Sequence, residues 1–339
     1  MKADILIFCP DRNSSFVQLD AALLGSEYNV EILSISSLRN PKIFWTFLTV
    51  GMKLAKERVA CIVMWFSVPH LAPVIVVLAK IFGVKILAIT GGYDVAYVPA
   101  IAWGEMGSRW NRLLQRFALR RVDRILPFSN LSRIETLRYA PENITSTLYP
   151  GIDLKRFIPR GEKEDIILTA CNVINRHTII QKGLDVFARC AAALPEFSFL
   201  IIGRVDTSDA VAGKFVRKSS ANLRFTGKYV SDDELLSLYQ GARVYVQASA
   251  HEGFGIACAE AMACGCIPVG TYNTSLQEVI GETGYLVPFN DIPATVDAIR
   301  SAVKSESRAS TVRKRIVENF SIEKRSSGML TTMNQLLGK

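Results

Sequence analysis

Histidine is scarce: only His70, His177 and His251 occur among 339 residues, and they lie far apart. Zinc sites usually draw on closely spaced His and Cys, so none is expected. Cysteine is present but shows no arrangement. Its seven copies are an odd number, they are scattered, and no Cys-x-x-Cys pair occurs. That excludes a disulfide framework and favours buried thiols in a reduced, cytoplasmic setting. No secretory pattern opens the chain, since "ADILIFC" reads as a first strand. Uninterrupted apolar runs are short. The longest, Cys61–Gly83, is broken by Pro69, His70 and Pro73 and carries Lys80 near its end. A buried strand, a Pro-marked turn and a helix are expected there in place of a membrane span. Acidic residues are outnumbered, 31 against 40 Lys and Arg, leaving a net charge of +9. This excess suits an anionic partner: a phosphate-bearing ligand, an acidic lipid surface or a nucleic acid.

Hydrophobic residues make up 49% of the chain and charged residues 21%. Mean hydropathy is +0.21. The chain is therefore globular, and its length predicts two domains. Short apolar runs alternate with helical patterns from "ADILIF" to "RILPFS". The segment "YPGIDLKRFIP" then interrupts with Pro150, Gly151 and Pro159, and the alternation restarts at "DIILTAC". The pattern predicts an α/β protein of two doubly wound parallel sheets, with a ligand cleft at the carboxyl ends of the strands. We assign residues 1–148 to the first domain and 149–318 to the second. A final helical segment, 319–339, is expected to pack back toward the first.

The stretch "HEGFGIACAEAMACGC", His251–Cys266, carries the chemistry. It follows the strand "VYVQAS", so Gly253 and Gly255 make the turn into a helix. Glycines admit close ligand approach, and the first helix amides favour an anion such as phosphate. Glu260 follows inside a run otherwise made of Ile, Ala, Cys and Met. An unpaired carboxylate in such surroundings is costly. A sugar diol, such as the ribose of a nucleotide, would complete its hydrogen bonds. Glu252, before the turn, is placed to reach the other end of the same ligand. The plain alternative is a core polar network around Glu260 and a solvated Glu252.

"EGFGIACAE" resembles the E-x7-E signature of family 4 glycosyltransferases, which have the GT-B fold of two Rossmann-like domains facing a central cleft. "TGKYVSDDELLSLYQGARVYVQAS", "GCIPVG" and "SLQEVIGETGYLVPFND" are similar to that family as well, and "YPGIDLKRFIP" resembles its interdomain segment. The resemblance implies that Glu260 binds the donor ribose and Glu252 contacts the transferred sugar. Gly253, Phe254 and Gly255 would lie against sugar and diphosphate. "NRHTIIQKG" is similar to the family's G-R-x5-K-G pattern, with Asn175 replacing the glycine. It implies that Arg176 and Lys182 stabilise the leaving diphosphate, a role fixed cations suit. No Asp-x-Asp pair occurs. Neither metal nor resident cofactor is therefore expected, the nucleotide-sugar being a co-substrate. The implied activity is a retaining hexosyl transfer to a lipid-linked, saccharide or other acceptor. A nucleotide-sugar epimerase of the same fold and a non-catalytic nucleotide-sugar-binding subunit are the alternatives. A dinucleotide-dependent dehydrogenase fits poorly, because Cys258 stands where that fingerprint wants its third glycine.

In the first half, "TGGYDVAYV" follows a strand end. Asp94 there is either an acceptor contact and weak general-base candidate or a loop-capping acid. Arg109, Arg112, Arg116 and Arg120 recur at helical spacing, predicted opposite Trp110, Leu113, Leu114 and Phe117. Such a face is either simply solvated or, with the apolar "KIFWTFLTVGMK", suited to an anionic membrane surface. Nucleic-acid binding is not expected, since no exposed aromatics are predicted among these arginines and no binding-module motif appears. The expected location is cytoplasmic, with peripheral attachment to the inner face of the membrane as a further expectation.

Overall fold

The computed structural model describes residues 4–34, 43–56 and 59–339. The chain divides into two units, Met1–Gly151 with Glu323–Lys339, and Ile152–Ile322.

The first unit alternates β1 (Asp4–Cys9), α1 (Ser15–Gly25), β2 (Asn29–Ser34), α2 (Ile43–Lys56), β3 (Val59–Trp65), α3 (Ala72–Ile81), β4 (Lys85–Thr90), α4 (Arg109–Leu119), β5 (Arg124–Pro127) and α5 (Asn130–Leu137). Its strands form one parallel sheet in the order β2-β1-β3-β4-β5. Strands covered on both faces read as continuous apolar runs, and β3 is buried from Cys61 to Trp65 for this reason. Alternate residues Leu6, Phe8, Ile62, Met64, Ile86 and Ala88 meet Val50 and Leu54 of α2, Ile75 and Ala79 of α3, and Ala118 and Leu119 of α4. The run Cys61–Gly83 thus becomes β3, a turn and α3, as its prolines require. Among the described residues no helix is long and apolar enough to cross a membrane.

The second unit contains β6 (Glu164–Ile174), α6 (Arg176–Gln181), α7 (Leu184–Ala193), β7 (Ser198–Val205), α8 (Ala210–Arg217), β8 (Leu223–Gly227), α9 (Asp232–Gly241), β9 (Ala242–Gln247), α10 (Ile256–Ala263), β10 (Ile267–Thr271), α11 (Leu276–Ile280), β11 (Tyr285–Val287), α12 (Ile292–Val303) and α13 (Ala309–Asn319). Its sheet runs β11-β10-β9-β6-β7-β8, all parallel. This is the doubly wound order in which the first and fourth strands lie side by side. The chain leaves β6 and β9 in opposite directions, which opens a crevice at their carboxyl ends. The loops after these two strands are Asn175–Gly183 and Ala248–Gly255, the two segments singled out by sequence.

The last helix, α14 (Ile322–Leu337), joins the first unit. Arg325 is 3% exposed and pairs with the fully buried Asp20 of α1 at 2.6 Å. It also donates to the carbonyls of Leu148 and Tyr149, and its guanidinium lies over the Trp65 and Phe128 rings. Asp20 accepts a further bond from the Trp65 indole at 3.0 Å. The seven cysteines are all free, and six are buried. Cys171, only half-buried, departs from the expectation of uniformly buried thiols.

Candidate active site

The loop after β6 is shaped by its own side chains. Asn175 caps α6 by accepting from the amides of His177 and Thr178, while the Thr178 hydroxyl accepts from the Asn175 amide. The short helix ends at Lys182, and Gly183 turns the chain at φ +63°. A Cβ at Gly183 would lie 2.0 Å from the carbonyl oxygen of Ala248, so only glycine lets the two loops touch. They are joined there by the Ala250 amide donating to the Gln181 carbonyl at 2.9 Å.

This contact brings Lys182 to Glu252 across seventy positions of sequence, at 2.7 Å. The Ser249 hydroxyl donates to the same carboxylate oxygen at 2.7 Å. Burial pushes the Glu252 carboxyl up, but the Lys182 charge and hydrogen bonds from Lys182, Ser249 and Gln247 outweigh it, leaving its pKa below the usual value. Glu252 is thus an ionised, buried acid and not a solvated loop residue. Ser275 fixes the backbone beneath it by donating to the Glu252 carbonyl, and Thr271 does the same for Ser249.

Arg176, expected as a free cation, is engaged too. Its backbone amide and its Nε both bind the Asp209 carboxylate, at 2.9 and 3.1 Å. Asp209 also caps α8 by accepting from the Val211 amide. Its carboxyl is held well below the usual range by the Arg176 side chain. Both expected cations are therefore paired within the protein. The ammonium of Lys182 still carries further donors, and so does the outer edge of the Arg176 guanidinium.

Gly255, at φ +93°, is the N-cap of α10. A Cβ there would meet the Leu276 side chain at 2.5 Å, so the turn also depends on glycine. The amides of the first turn have no partner within the helix. Phe254 does not face this opening. Its ring is buried and packs edge-on to Phe320 at 5.2 Å, so only its backbone borders the turn. Of the three positions expected against sugar and diphosphate, Phe254 offers its backbone and not its ring.

Glu260 is half-buried and not enclosed. Cys258, Ala259, Ala261, Met262 and Ala263 are buried, whereas Ile256, Ala257 and Glu260 remain partly accessible. Those three positions line one side of the helix, leading from its free amides to the carboxylate. No described side chain hydrogen-bonds Glu260. Burial raises its pKa to about 8, with Arg156 opposing and Asp232 reinforcing the shift. Burial thus favours its protonated form at neutral pH. Ser249, Gln247 and Asp209 were not singled out by sequence. Only the strand-end positions of Ser249 and Gln247 offered a signal, because strand ends at a switch point face the ligand.

In the first unit, Asp94 is 2% exposed. It accepts from the amides of Ser67, Gly91 and Gly92 at 3.0–3.1 Å. Burial raises its pKa to about 6 against those amides. This is the geometry of a loop-closing acid: it ties the loop after β4 to the loop after β3. The α4 helix is also oriented differently from expectation. Its buried side is Asn111, Gln115, Ala118 and Leu119. Gln115 bridges the Ser67 hydroxyl and the Asp94 carbonyl, and Asn111 binds Glu105. These hydrogen bonds turn polar residues inward and leave Trp110 and Leu113 exposed among the arginines, at 73% and 57%. Of "KIFWTFLTVGMK", the side chains at 42–46 lie outside the described ones.

Part of the chain is similar in sequence to known proteins, and nearly all of it in fold. Residues 165–305 match the family model for glycosyl transferases group 1. The O-antigen chain mannosyltransferase B of Escherichia coli is 34% identical over 113 residues, 33% of this chain and 29% of that protein. The lipopolysaccharide core biosynthesis mannosyltransferase LpcC of Rhizobium leguminosarum bv. viciae is 28% identical over 249 residues, 66% of this chain and 67% of that one. The chain thus spans under a third of the first relative and about two thirds of the second. The sucrose-phosphate synthase structure from Thermosynechococcus elongatus superposes with a TM-score of 0.83 at 20% identity, covering 99% of this chain and 100% of the other. That likeness shows the fold: two parallel-sheet α/β units of the GT-B kind. Over residues 165–305 the chain is thus similar to the group 1 glycosyltransferases.

Proposed function

We propose that the protein is a retaining, metal-independent hexosyltransferase that moves a sugar from a nucleotide-sugar donor to a saccharide or lipid-linked acceptor. The observation that carries this reading is Glu252 and Glu260 standing on either side of the free α10 N-terminus, at the switch point of the second sheet. The donor ribose hydroxyls donate to Glu260, whose missing hydrogen-bond partners they supply. The diphosphate sits on the first-turn amides of α10, beside Gly253 and Gly255. Lys182 bridges Glu252 and a phosphate oxygen, using donors that the ion pair leaves over. Arg176, oriented by Asp209, presents its remaining N–H groups to the same charge.

In the reaction the bond between the anomeric carbon and the phosphate oxygen breaks, and the nucleoside diphosphate leaves with the electron pair. The acceptor hydroxyl attacks from the same face, and its proton passes to the departing phosphate oxygen. Fixed positive groups that meet the developing charge lower the barrier, and here they stand where a divalent ion would otherwise act. Glu252 accepts from a hydroxyl of the transferred sugar. Asp94 holds its loop in shape in place of acting as a base. The names of both curated relatives support mannose or a similar hexose. Peripheral attachment to an anionic membrane from the cytoplasmic side belongs to the same reading, supported by the basic side of α4.

A thermal-shift panel of UDP-, GDP-, ADP- and CDP-sugars, with NAD as control, tests the assignment. One sugar nucleotide is expected to raise the melting temperature, and the same compound should donate its sugar without added metal. A shift with NAD alone would overturn the reading.

A further inference from the structure

The outer side of α4 carries a feature that hexosyl transfer does not use. Arg109, Arg112, Leu113 and Arg116 from α4, with Arg138 and Tyr139 following α5, line an open cavity of about 430 Å³. Four guanidinium groups converge on one hollow. Among the described residues none of the four is ion-paired, although the neighbouring Arg133 binds Glu142 at 2.6 Å. The acid that acts on Tyr139 is Glu135, which is buried on the inner side of α5. Tyr139 senses this balance: burial raises its pKa, Arg138 and Arg112 lower it, and Glu135 raises it. Four arginines and no acidic residue line the hollow, which leaves it strongly positive. Guanidinium forks match phosphate oxygens in pairs, so the chemistry that satisfies them is a phosphate group.

The rim identifies what carries the phosphate. Leu113 is both a wall of the cavity and 57% exposed, and Trp110, one turn away on the same helix, is 73% exposed. A soluble anion gains nothing from an exposed indole and isobutyl group beside its site. A lipid headgroup does, because its glycerol and acyl region lies next to its phosphate. A nucleic acid would use the indole for stacking but has no use for the leucine. We infer that the α4–α5 hollow is a headgroup pocket for the phosphate of an anionic membrane lipid, with Trp110 and Leu113 entering the bilayer interface. This rests on the peripheral-membrane part of the function proposed above and is independent of its transferase part.

Flotation of the full chain with phosphatidylcholine vesicles, with and without phosphatidic acid, tests it. Binding is expected only to the acidic vesicles. Arg112→Ala with Arg138→Ala should weaken it roughly thirtyfold, from the usual contribution of each surface arginine at an anionic membrane. The pair Arg217→Ala with Arg224→Ala removes the same charge from exposed positions of the second unit and should change it far less. Trp110→Ser with Leu113→Ser should also release the protein. Donor-induced thermal shift should be unchanged in all three double variants, so failure here stays distinguishable from failure of the transferase reading. Equal losses in the two arginine pairs would overturn the pocket. So would an absence of vesicle binding at low salt, tight binding of inorganic phosphate without vesicles, or a preference for single-stranded nucleic acid over acidic lipid.

Discussion

Two glutamates eight positions apart sit in opposite electrostatic states, and each state gives a prediction. Glu260 has a folded pKa near 8, well above the ordinary 4.5. The folded chain therefore holds its proton more tightly than the unfolded chain. The sign follows: stability falls as pH rises from about 4.5 to about 8, and the cost is fully present above that. Glu260→Gln is expected to raise the melting temperature at pH 9 and leave it nearly unchanged at pH 4, while weakening donor binding. An unchanged alkaline melting temperature would show that the carboxyl is not desolvated. Hydroxyls that donate to Glu260 favour its ionised form, so donor binding near neutral pH should release a proton, read as a buffer-dependent enthalpy in calorimetry.

Glu252 is the reverse case. Its pKa is depressed, so its contribution is present above about 4.5 and is lost as pH falls through the folded value. Removing it leaves Lys182 half-buried and unpaired. Glu252→Ala is thus expected to lower turnover and also to cost roughly 3 kcal/mol of stability, the usual scale for breaking a buried pair. Adding Lys182→Met should recover stability without recovering activity, checked by denaturant unfolding beside a transfer assay.

At the scale of elements, the contacts that matter join segments distant in sequence. Among the contacts that hold helix α14 to the first unit, one buried guanidinium serves Asp20, two carbonyls and two aromatic faces. Arg325→Ala strands the Asp20 carboxylate and is expected to cost about 3–5 kcal/mol. Arg325→Lys should recover little, because an ammonium cannot match this planar fork. Denaturation midpoints of the two variants decide it. The loops after β6 and β9 meet at Gly183 and Ala248, where a methyl group has no room. Gly183→Ala should push the loops apart, lengthen the Lys182–Glu252 contact and reduce donor affinity although no ligand-facing side chain has changed. Donor affinity equal to that of the unaltered protein would dissociate this contact from the site.

For the whole molecule, the net charge of +9 includes two proposed sites that should differ in sensitivity to salt. Lys182 is only 26% exposed and ion-paired, so its charge is screened weakly. The arginines beside α4 are exposed and screened strongly once the Debye length falls to about 8 Å at physiological ionic strength. Raising salt is therefore expected to abolish vesicle binding while donor affinity changes little. Parallel losses of both would mean that one diffuse positive field serves them together.

Residue order alone carried the architecture and pointed to the segments that form the candidate site. Alternating apolar runs dictate parallel sheets because strands covered on both faces have no polar side. A Gly-Phe-Gly turn entering an apolar helix dictates an anion-friendly helix start. Glu252, Arg176 and Lys182 were legible as residues of the strand-end segments, and Glu260 as an acid inside the helix that follows. Their partners were not. That Lys182 holds Glu252, that Arg176 holds Asp209 and that Phe254 turns away toward Phe320 are decided by which loops the strand order makes neighbours. The facing of α4 was misjudged from sequence for a related reason. Hydrophobic spacing assigns Trp110 and Leu113 to the core, but Asn111 and Gln115 bind groups in the Glu105 and Asp94 segments and take the inward side instead. Periodicity tells a helix that it has two sides, and the partners across the fold choose which of them is buried.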